Sequence, residues 1–266
     1  MMKEKSAVLF RTDANAAVGT GHAIRCLALA QKLIQESIHA TFLATDVAPG
    51  IKEKIVQEKV GLHLLGTPPF GPEDAKRTAE KAREVKAEWV VIDGYGFDAS
   101  YQKALKDEGL HVLCIDDFGH CDSYPADLVL NQNSSAREEW YKTRSPDTRL
   151  CLGASYVLLR KEFLEYARWK RVNPKTAEKI LVTLGGGDPD NVTLKVIEAL
   201  KTLPNLDVTV VIGGANPHIK ALKAACETSH FKIFLNASNM PELMAEADIA
   251  VVAGGTTSYE LAFMGM

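Results

Sequence analysis

The sequence lacks the long apolar segment that a membrane-spanning protein requires. No run of about 18 apolar residues occurs in it, so no transmembrane helix is predicted. Met1 to Lys5 lead into a short apolar run at 7–10, where a signal peptide would place a longer apolar region. An excess of positive charge is also missing, since 31 Lys and Arg residues stand against 34 Asp and Glu residues. This balance gives no electrostatic reason to expect a nucleic acid or a membrane as a partner.

The sequence also lacks the cysteine pattern of a disulfide framework. Its five cysteines are odd in number and form no Cys-x-x-Cys pair, which favours a reducing compartment. We therefore predict a cytoplasmic protein. Several metal-ligand types crowd between His111 and Asp122, but alternation along a strand sends neighbouring side chains to opposite faces, so few can converge on one ion. Neither a metal site nor a cofactor is predicted.

Length and hydrophobic pattern predict an α/β protein of two domains. A chain of 266 residues with 46% hydrophobic residues can bury a large core. Short β-rich runs alternate with helical patterns, which is typical of a parallel sheet with helices on both faces. The predicted strands are 7–10, 39–44, 60–65, 89–93, 111–115 and 128–130 in the first half and 179–184, 206–212, 231–235 and 248–252 in the second.

A basic stretch at 168–175 separates the two halves. Four cations beside a proline are more typical of a solvated connector than of a nucleic-acid patch on a chain with net charge -3. We predict one domain at 1–165 and a second at 166–266. Both are expected to be Rossmann-like and to face each other across a cleft, where ligands usually bind.

A glycine loop, Val18 to Arg25, lies between the first strand and an amphipathic helix. Gly19 and Gly21 let the backbone turn sharply, and the free N–H groups of the following helix favour an anion. His22 lies in the first helical turn, where the positive end of the helix disfavours the imidazolium and favours a ring that can accept a proton. A general base requires this property, although a histidine here can also serve only as a cap.

The most apolar strand of the first half, 89–93, ends in a loop with two glycines. Asp93 and Tyr95 are therefore expected at the carboxyl edge of the sheet, which is the ligand-binding edge of such folds. Asp116, Asp117 and Asn131 follow the next two strands and are expected at the same edge.

Three further glycine loops occur in the second half. Gly186, Gly187 and Asp188 follow its first strand, with Asp188 a predicted N-cap and Pro189 a predicted first helical residue. Gly214 lies in the loop after the next strand in the sequence. The last loop contains Gly255, Thr256 and Thr257 and opens the final helix, in which Glu260 either accepts the two hydroxyls of a ribose or is a solvated glutamate.

Two resemblances arise from these motifs. The stretch Gly-Gly-Thr-Thr-x-x-Glu-Leu at 254–261 resembles the nucleotide-sugar signature of the two-domain glycosyltransferases that make peptidoglycan lipid intermediates. A larger set of motifs resembles the UDP-2,4-diacetamido-2,4,6-trideoxy-β-L-altropyranose hydrolases of pseudaminic acid biosynthesis and the related spore-coat polysaccharide proteins. These motifs lie at 11–13, 19–30, 92–95, 115–117, 130–131, 153–163 and 184–188.

The resemblance implies a GT-B fold and an enzyme that hydrolyses a UDP-sugar to UDP and free sugar. His22 would be the base for water, Asp93 and Tyr95 would touch the sugar, residues 186–188 and 255–257 the diphosphate, and Glu260 the ribose. Other residues of the matched motifs and glycine loops complete the predicted substrate-binding set: Arg11, Asp13, Gly19, Gly21, Arg25, Asn131 and Gly214.

Two other functions are compatible with the same fold: transfer of the sugar to an acceptor, and nucleotide-sugar binding without catalysis. The sequence shows no apolar or basic patch in its first half that would suit a lipid acceptor, and His22 favours hydrolysis. The sequence ends at Gly265-Met266, where the resembling family continues, so the second domain is expected to be incomplete. No oligomeric state is predicted.

Overall fold

The computed structural model describes residues 6–15 and 18–266. The chain forms two compact units. The first comprises the chain up to Ala14 together with His22–Val47 and Ile51–Leu158, and the second comprises Asn15–Gly21, Ala48–Gly50 and Leu159–Met266.

The first half of the chain alternates strands and helices, as its hydrophobic pattern predicts. The elements are β1 (Ala7–Thr12), α1 (Gly21–Gln35), β2 (His39–Ala44), α2 (Pro49–Gln57), β3 (Gly61–Leu64), α3 (Pro72–Glu84), β4 (Ala87–Asp93), α4 (Ala99–Asp107), β5 (His111–Ile115), β6 (Leu128–Asn131) and β7 (Arg149–Leu152). Single 3₁₀ turns occupy Glu138–Tyr141 and Ala154–Tyr156.

The sheet of the first unit brings several strand ends to one edge. Within the described residues it has seven strands in the order β3-β2-β1-β4-β5-β6-β7, and all neighbouring strands are parallel. Thr12 pairs with Asp93, and Asp93 pairs with Ile115, so β1, β4 and β5 end at the same level. The residues that follow these strands therefore meet at the carboxyl edge, as the sequence predicts.

A continuous apolar layer explains why these segments form strands. Leu9, Val90, Ile92 and Val112 are fully buried in one core cluster against the helices α3 and α4. Strands buried on both faces require nearly continuous apolar runs, which β4 and β5 have. The strand β7 is absent from the sequence-based prediction. It lies at the sheet edge, where its four residues are exposed or half-buried, so its apolar pattern is weak.

The second half has a smaller sheet of the same kind. Its elements are α5 (Lys161–Leu164), β8 (Lys179–Thr183), α6 (Val192–Leu200), β9 (Asp207–Ile212), α7 (Ile219–Ser229), β10 (Lys232–Leu235), α8 (Met240–Glu246), β11 (Ile249–Val252) and α9 (Thr256–Phe263). In the part of the chain that the structure describes, this sheet has four parallel strands in the order β10-β9-β8-β11.

The start of α6 differs from the prediction. The N-cap residue is Asn191, so the prediction that Asp188 is the N-cap is wrong. The Asp188 carboxylate nevertheless accepts the backbone N–H groups of Val192 at 2.8 Å and Thr193 at 2.9 Å from outside the helix. Pro189 is not the first helical residue, and that prediction is wrong. Asp188 and Asn191 both have positive φ angles, 46° and 50°, and the helix begins only after this turn.

None of the helices formed by residues 6–15 and 18–266 is both long enough and apolar enough to cross a membrane.

Candidate active site at the strand ends of the first unit

His22 is the second residue of α1 and lies at the carboxyl edge of the first sheet. Its ring is half-buried and meets the ring of Tyr95 edge-on, with ring centroids 4.9 Å apart. The two residues come from α1 and from the loop after β4, as the sequence predicts. Because the His22 side chain is only half-buried, part of it remains accessible to a ligand.

Arg25 lies one helical turn after His22 and is held by two carboxylates. Its Nε and Nη2 atoms each donate to Asp93 at 2.7 Å. Its Nη1 and Nη2 atoms donate to Asp117 at 2.6 and 3.0 Å. These bonds fix the first turn of α1 to the ends of β4 and β5, so Arg25 positions the residues around His22.

The charges in this cluster are unequal in exposure. The Arg25 side chain is 5% exposed and Asp93 is 0% exposed, whereas Asp117 is 19% exposed. Burial raises the pKa of Asp117, but hydrogen bonds and charge from Arg25 outweigh it and hold that pKa below its usual value.

Tyr95 joins this charged cluster to the surface. Its hydroxyl donates to Asp117 Oδ2 at 3.0 Å, and its side chain is exposed. Burial of the hydroxyl, followed by the charge of Asp117, raises the pKa of Tyr95 to about 12. Tyr95 therefore stays a neutral hydrogen-bond donor at physiological pH.

Asn131 ends β6 at the same edge, but it is fully buried. Its side-chain nitrogen donates to the Tyr141 hydroxyl at 2.8 Å, and its oxygen accepts the backbone N–H of Asn133 at 2.9 Å. The Asn133 side chain in turn donates to Asp117 Oδ1 at 3.1 Å. Asn131 thus orients Asn133, and its predicted contact with substrate stays a prediction.

A second polar cluster follows β5. Asp116 accepts the backbone N–H groups of Phe118 and Gly119 and the hydroxyl of Tyr124, and it forms an ion pair with His120 at 3.4 Å. Burial opposes the charge on both partners, but the close approach of the His120 ring and the Asp116 carboxylate prevails. It raises the pKa of His120 to about 10 and lowers the pKa of Asp116 to about 2.

Arg11 lies near the end of β1, Asp13 directly follows that strand, and both belong to a buried network. Arg11 is 0% exposed, binds Asp74 through Nε and Nη2 at 2.7 to 3.2 Å, and lies 3.0 Å from Asp13. Asp13 accepts the backbone N–H of Thr45 at 2.5 Å. The structure gives both residues a role in joining β1 to neighbouring segments. Their predicted contact with substrate stays a prediction.

The glycine loop before α1 is open. Gly19 has a φ of +76°, which favours glycine, and neither Gly19 nor Gly21 has an atom within 4 Å of an added Cβ. α1 begins at Gly21, as predicted. The free N–H groups of its first turn can therefore be reached by a ligand.

Two predicted phosphate loops of the second unit are packed backbone to backbone. An added Cβ at Gly213 would lie 2.4 Å from the Cα of Gly186, and the N–H of Ala215 donates to the Gly186 carbonyl at 3.1 Å. Gly214 is exposed and Gly187 is buried. The carboxylate of Asp188 already occupies two N–H groups of α6, so this helix start has fewer donors for an anion than the sequence suggests.

The loop before α9 is more accessible. Gly255 has a φ of +151° and is exposed, and Thr256 and Thr257 are half-buried at the start of the helix. Glu260, by contrast, is 2% exposed and forms a bidentate ion pair with Arg160, at 2.8 and 3.1 Å. It is therefore not a solvated glutamate, and its predicted bond to a ribose stays a prediction.

No group of three or more His, Cys, Asp or Glu side chains in the described ranges has the geometry to hold a metal ion.

The chain is similar in sequence to several known proteins. No protein-family model matches the chain. It is 25% identical over 252 residues to a UDP-2,4-diacetamido-2,4,6-trideoxy-β-L-altropyranose hydrolase of Campylobacter jejuni, which covers 94% of this chain and 85% of that protein. It is 27% identical over 254 residues to the spore coat polysaccharide biosynthesis protein SpsG of Bacillus subtilis, covering 93% and 72% of the two chains.

A longer relative also matches. The chain is 26% identical over 264 residues to an uncharacterized protein of Methanocaldococcus jannaschii, which covers 96% of this chain. The match spans only 53%, about half, of that relative's length.

Solved structures share the fold. Acinetobacter baumannii MurG has a TM-score of 0.56 and 15% identity, covering 98% of this chain and 76% of its own. Anabaena HepE, solved in complex with UDP-glucose, has a TM-score of 0.60 and 13% identity, covering 92% and 72%. Both are GT-B glycosyltransferases, which confirms the predicted α/β fold class of GT-B type. Together with the sequence matches, this makes the chain a homologue of the UDP-diacetamido-trideoxy-altropyranose hydrolases and of SpsG, the family that its motifs resemble.

Proposed function

We propose that this chain hydrolyses a UDP-linked diacetamido-trideoxyhexose to UDP and the free sugar, with His22 as the base that activates water. The observation that carries the proposal is the placement of His22. Its half-buried ring lies at the carboxyl edge against Tyr95, one helical turn from the cluster of Arg25, Asp93 and Asp117. The C. jejuni relative, whose name states this hydrolysis, supplies the substrate class.

The proposed reaction moves one water molecule onto the sugar. The water oxygen forms a bond to the anomeric carbon while the bond from that carbon to the diphosphate oxygen breaks. The electron pair of the broken bond leaves with UDP, and His22 takes the proton that water loses. A general base must come within hydrogen-bond distance of the attacking water, and the partial exposure of His22 supports this role.

Backbone N–H groups are proposed to hold the diphosphate. The donors proposed for this role are the backbone groups of Gly19 and Gly21 at the start of α1 and those of Gly255 and Thr256 at the start of α9, because a helix start favours negative charge. The loops at Gly186 and Gly214 are proposed to contribute backbone contacts, and Glu260 to accept the ribose hydroxyls.

One finding favours a second candidate, transfer of the sugar to an acceptor. The matching solved structures are glycosyltransferases, and HepE is solved with UDP-glucose. A shared fold does not choose between water and another acceptor. Hydrolysis is preferred because the relatives named after a reaction at 25% to 28% identity are hydrolases, one of them fused to a cytidylyltransferase.

The test is a product assay in ¹⁸O-labelled water without any acceptor. Release of UDP with the heavy oxygen on the sugar is the expected result. Heavy oxygen in UDP would mean attack at phosphorus and would remove the proposed role of His22. Release of UDP only after an acceptor is added would favour the transferase, and binding of the UDP-sugar without turnover would favour a binding protein.

A further inference from the structure

Two large aromatic rings are exposed side by side at the strand ends of the first unit. Tyr95 follows β4 and is 53% exposed, and Phe118 follows β5 and is 54% exposed. Their ring centroids are 5.2 Å apart. Adjacent exposed aromatic rings leave apolar area in water, and such patches mark binding surfaces more often than isolated apolar residues do.

Both rings are held in place without a ligand. The Phe118 N–H donates to Asp116 Oδ1 at 2.8 Å and the Gly119 N–H donates to the same atom at 3.0 Å, which fixes the turn that carries Phe118. Gly119 has a φ of +73°, and an added Cβ there would lie 2.6 Å from the Cβ of Trp140. The turn is therefore closely packed as well as hydrogen-bonded, and the exposed Phe118 ring is preorganised.

The underside of the two rings is filled by His120. Its ring centroid lies 6.0 Å from that of Tyr95 and 5.9 Å from that of Phe118, and its side chain is 9% exposed. The ion pair of His120 with Asp116 ties this support to the same carboxylate that holds the Phe118 turn. The two rings thus contact the largely buried His120 ring and still remain more than half exposed, and this exposed area is called the free face.

The free face adjoins the proposed base. Tyr95 contacts His22 on one side and Phe118 on the other. A sugar whose anomeric carbon lies near His22 would extend over Tyr95 towards Phe118. The faces of aromatic rings pack against the C–H and methyl groups of a ligand, so this surface favours a sugar that carries additional methyl groups.

We propose that Phe118 is a specificity-determining residue that, with Tyr95, packs against the apolar parts of the sugar. Those parts are the methyl group of a 6-deoxy sugar and the methyl groups of its acetamido substituents. The inference rests on the proposed function, which supplies the UDP-sugar. It adds a residue outside the set predicted from the sequence and a reason for discrimination against fully hydroxylated hexoses.

The test compares two substrates with three variants. Phe118→Ala removes the ring, Phe118→Trp retains an aromatic surface, and Leu64→Ala removes a side chain that is 64% exposed on β3 as a matched control. For each protein, kcat and KM are measured with the UDP-diacetamido-trideoxyhexose and with UDP-glucose, which has neither a 6-deoxy methyl group nor an acetamido group.

Phe118→Ala is expected to lower kcat/KM for the deoxy substrate about tenfold, through a higher KM, because one apolar contact commonly gives 10-fold or greater discrimination. The value for UDP-glucose, UDP affinity by calorimetry and the melting temperature should change little. Phe118→Trp should retain most of the discrimination, and Leu64→Ala should match the wild type.

An unchanged ratio of the two kcat/KM values in Phe118→Ala would overturn the inference and leave the proposed function standing. Absence of hydrolysis by the wild type with either substrate would overturn the proposed function instead. In that case, calorimetry of both UDP-sugars still decides the inference, since Phe118→Ala must weaken binding of the deoxy sugar selectively.

Discussion

Each unit contains a buried arginine held by two carboxylates, but the two clusters have different surroundings. In the first unit, Arg25 binds Asp93 and Asp117, and Asp117 also accepts the hydroxyl of the exposed Tyr95. In the second unit, Arg160 binds Glu260 and Glu162 and lies over the ring of the buried Phe163. The first cluster is linked to side chains that a ligand can reach, whereas the Arg160–Glu260 pair is enclosed.

The difference indicates how the same ion-pair chemistry can support two roles. A bidentate arginine pair fixes the geometry of whatever its carboxylates also touch. Around Arg25 this fixes Tyr95 and the first turn of α1. Around Arg160 it fixes α9 to the segment before α5, which stabilises the fold.

The largest effect is expected from His22→Asn, which keeps a hydrogen-bonding side chain but removes the proton acceptor. Loss of a general base lowers kcat by a factor of about 100 to 10,000, equivalent to about 3 to 5 kcal/mol of barrier. UDP affinity should be retained, because backbone groups are proposed to hold the diphosphate. Steady-state kinetics and calorimetry measure the two quantities. A variant with wild-type turnover would restrict His22 to a structural role in the helix.

Arg25→Met should have the next largest effect, on stability. It leaves Asp93 and Asp117 without their cation, and breaking a buried ion pair in this way costs about 3 to 5 kcal/mol of unfolding free energy. Urea denaturation measures the loss. The control is Lys103→Ala, whose pair with Asp107 lies at the surface and should contribute little.

The double variant Arg25→Met/Asp117→Asn tests whether the stability lost in Arg25→Met comes from an unpaired carboxylate, because it also removes the charge of Asp117. It should recover part of the stability that Arg25→Met loses. If the single variant is as stable as Lys103→Ala, the cluster does not hold the strand ends together.

Glu260→Gln is expected to cost less, because Arg160 keeps Glu162 as a partner. Loss of a hydrogen bond to a charged group costs about 1.5 to 3 kcal/mol of unfolding free energy. If Glu260 also accepts the ribose, UDP affinity should fall in the same variant. Reduced stability with unchanged UDP affinity would restrict Glu260 to the ion pair and place the ribose elsewhere.

The smallest effect concerns the pH dependence of the His120–Asp116 pair. The pKa of His120 is raised to about 10, so the pair's contribution to stability is complete below the ordinary histidine value of about 6.5 and is lost as pH rises through about 10. The stability difference between wild type and His120→Gln should therefore shrink as pH rises between these values. Imidazole nitrogen chemical shifts should show His120 protonated at pH 8, and Asp116→Asn should return its titration towards the ordinary value. A His120 ring that is neutral at pH 8 in the wild type would contradict the ion pair.

The strands and the main site could be predicted because both depend on local pattern. The predicted bounds of β2 and β5 agree with the structure, since apolar runs between turn residues define them. Asp93 and Tyr95 lie at the predicted edge because parallel strands end there. The strand β7 could not be predicted, because an edge strand with half-exposed residues has no clear apolar pattern.

Side-chain pairing across distant segments was not accessible from the sequence. Whether Glu260 faces solvent or Arg160 depends on packing between segments that are 100 residues apart. The hydrogen bond from Asn133 to Asp117 depends on the path of the loop after β6. The exposure of Phe118 depends on the path of the loop after β5. A signal for Phe118 did exist, since a large apolar residue followed by glycine directly after a strand end is unusual for a solvated turn.

The contact between Gly213 and Gly186 restricts both the substitutions that Gly213 tolerates and the movement of the two loops that meet there. Because a Cβ at Gly213 would lie 2.4 Å from one backbone atom and 2.8 Å from the Gly185 carbonyl oxygen, no side-chain rotation can relieve the clash. Any residue other than glycine must push the two loops apart. The loops after β8 and β9 are thus in direct backbone contact, and a ligand that pushes one of them towards the other must displace both.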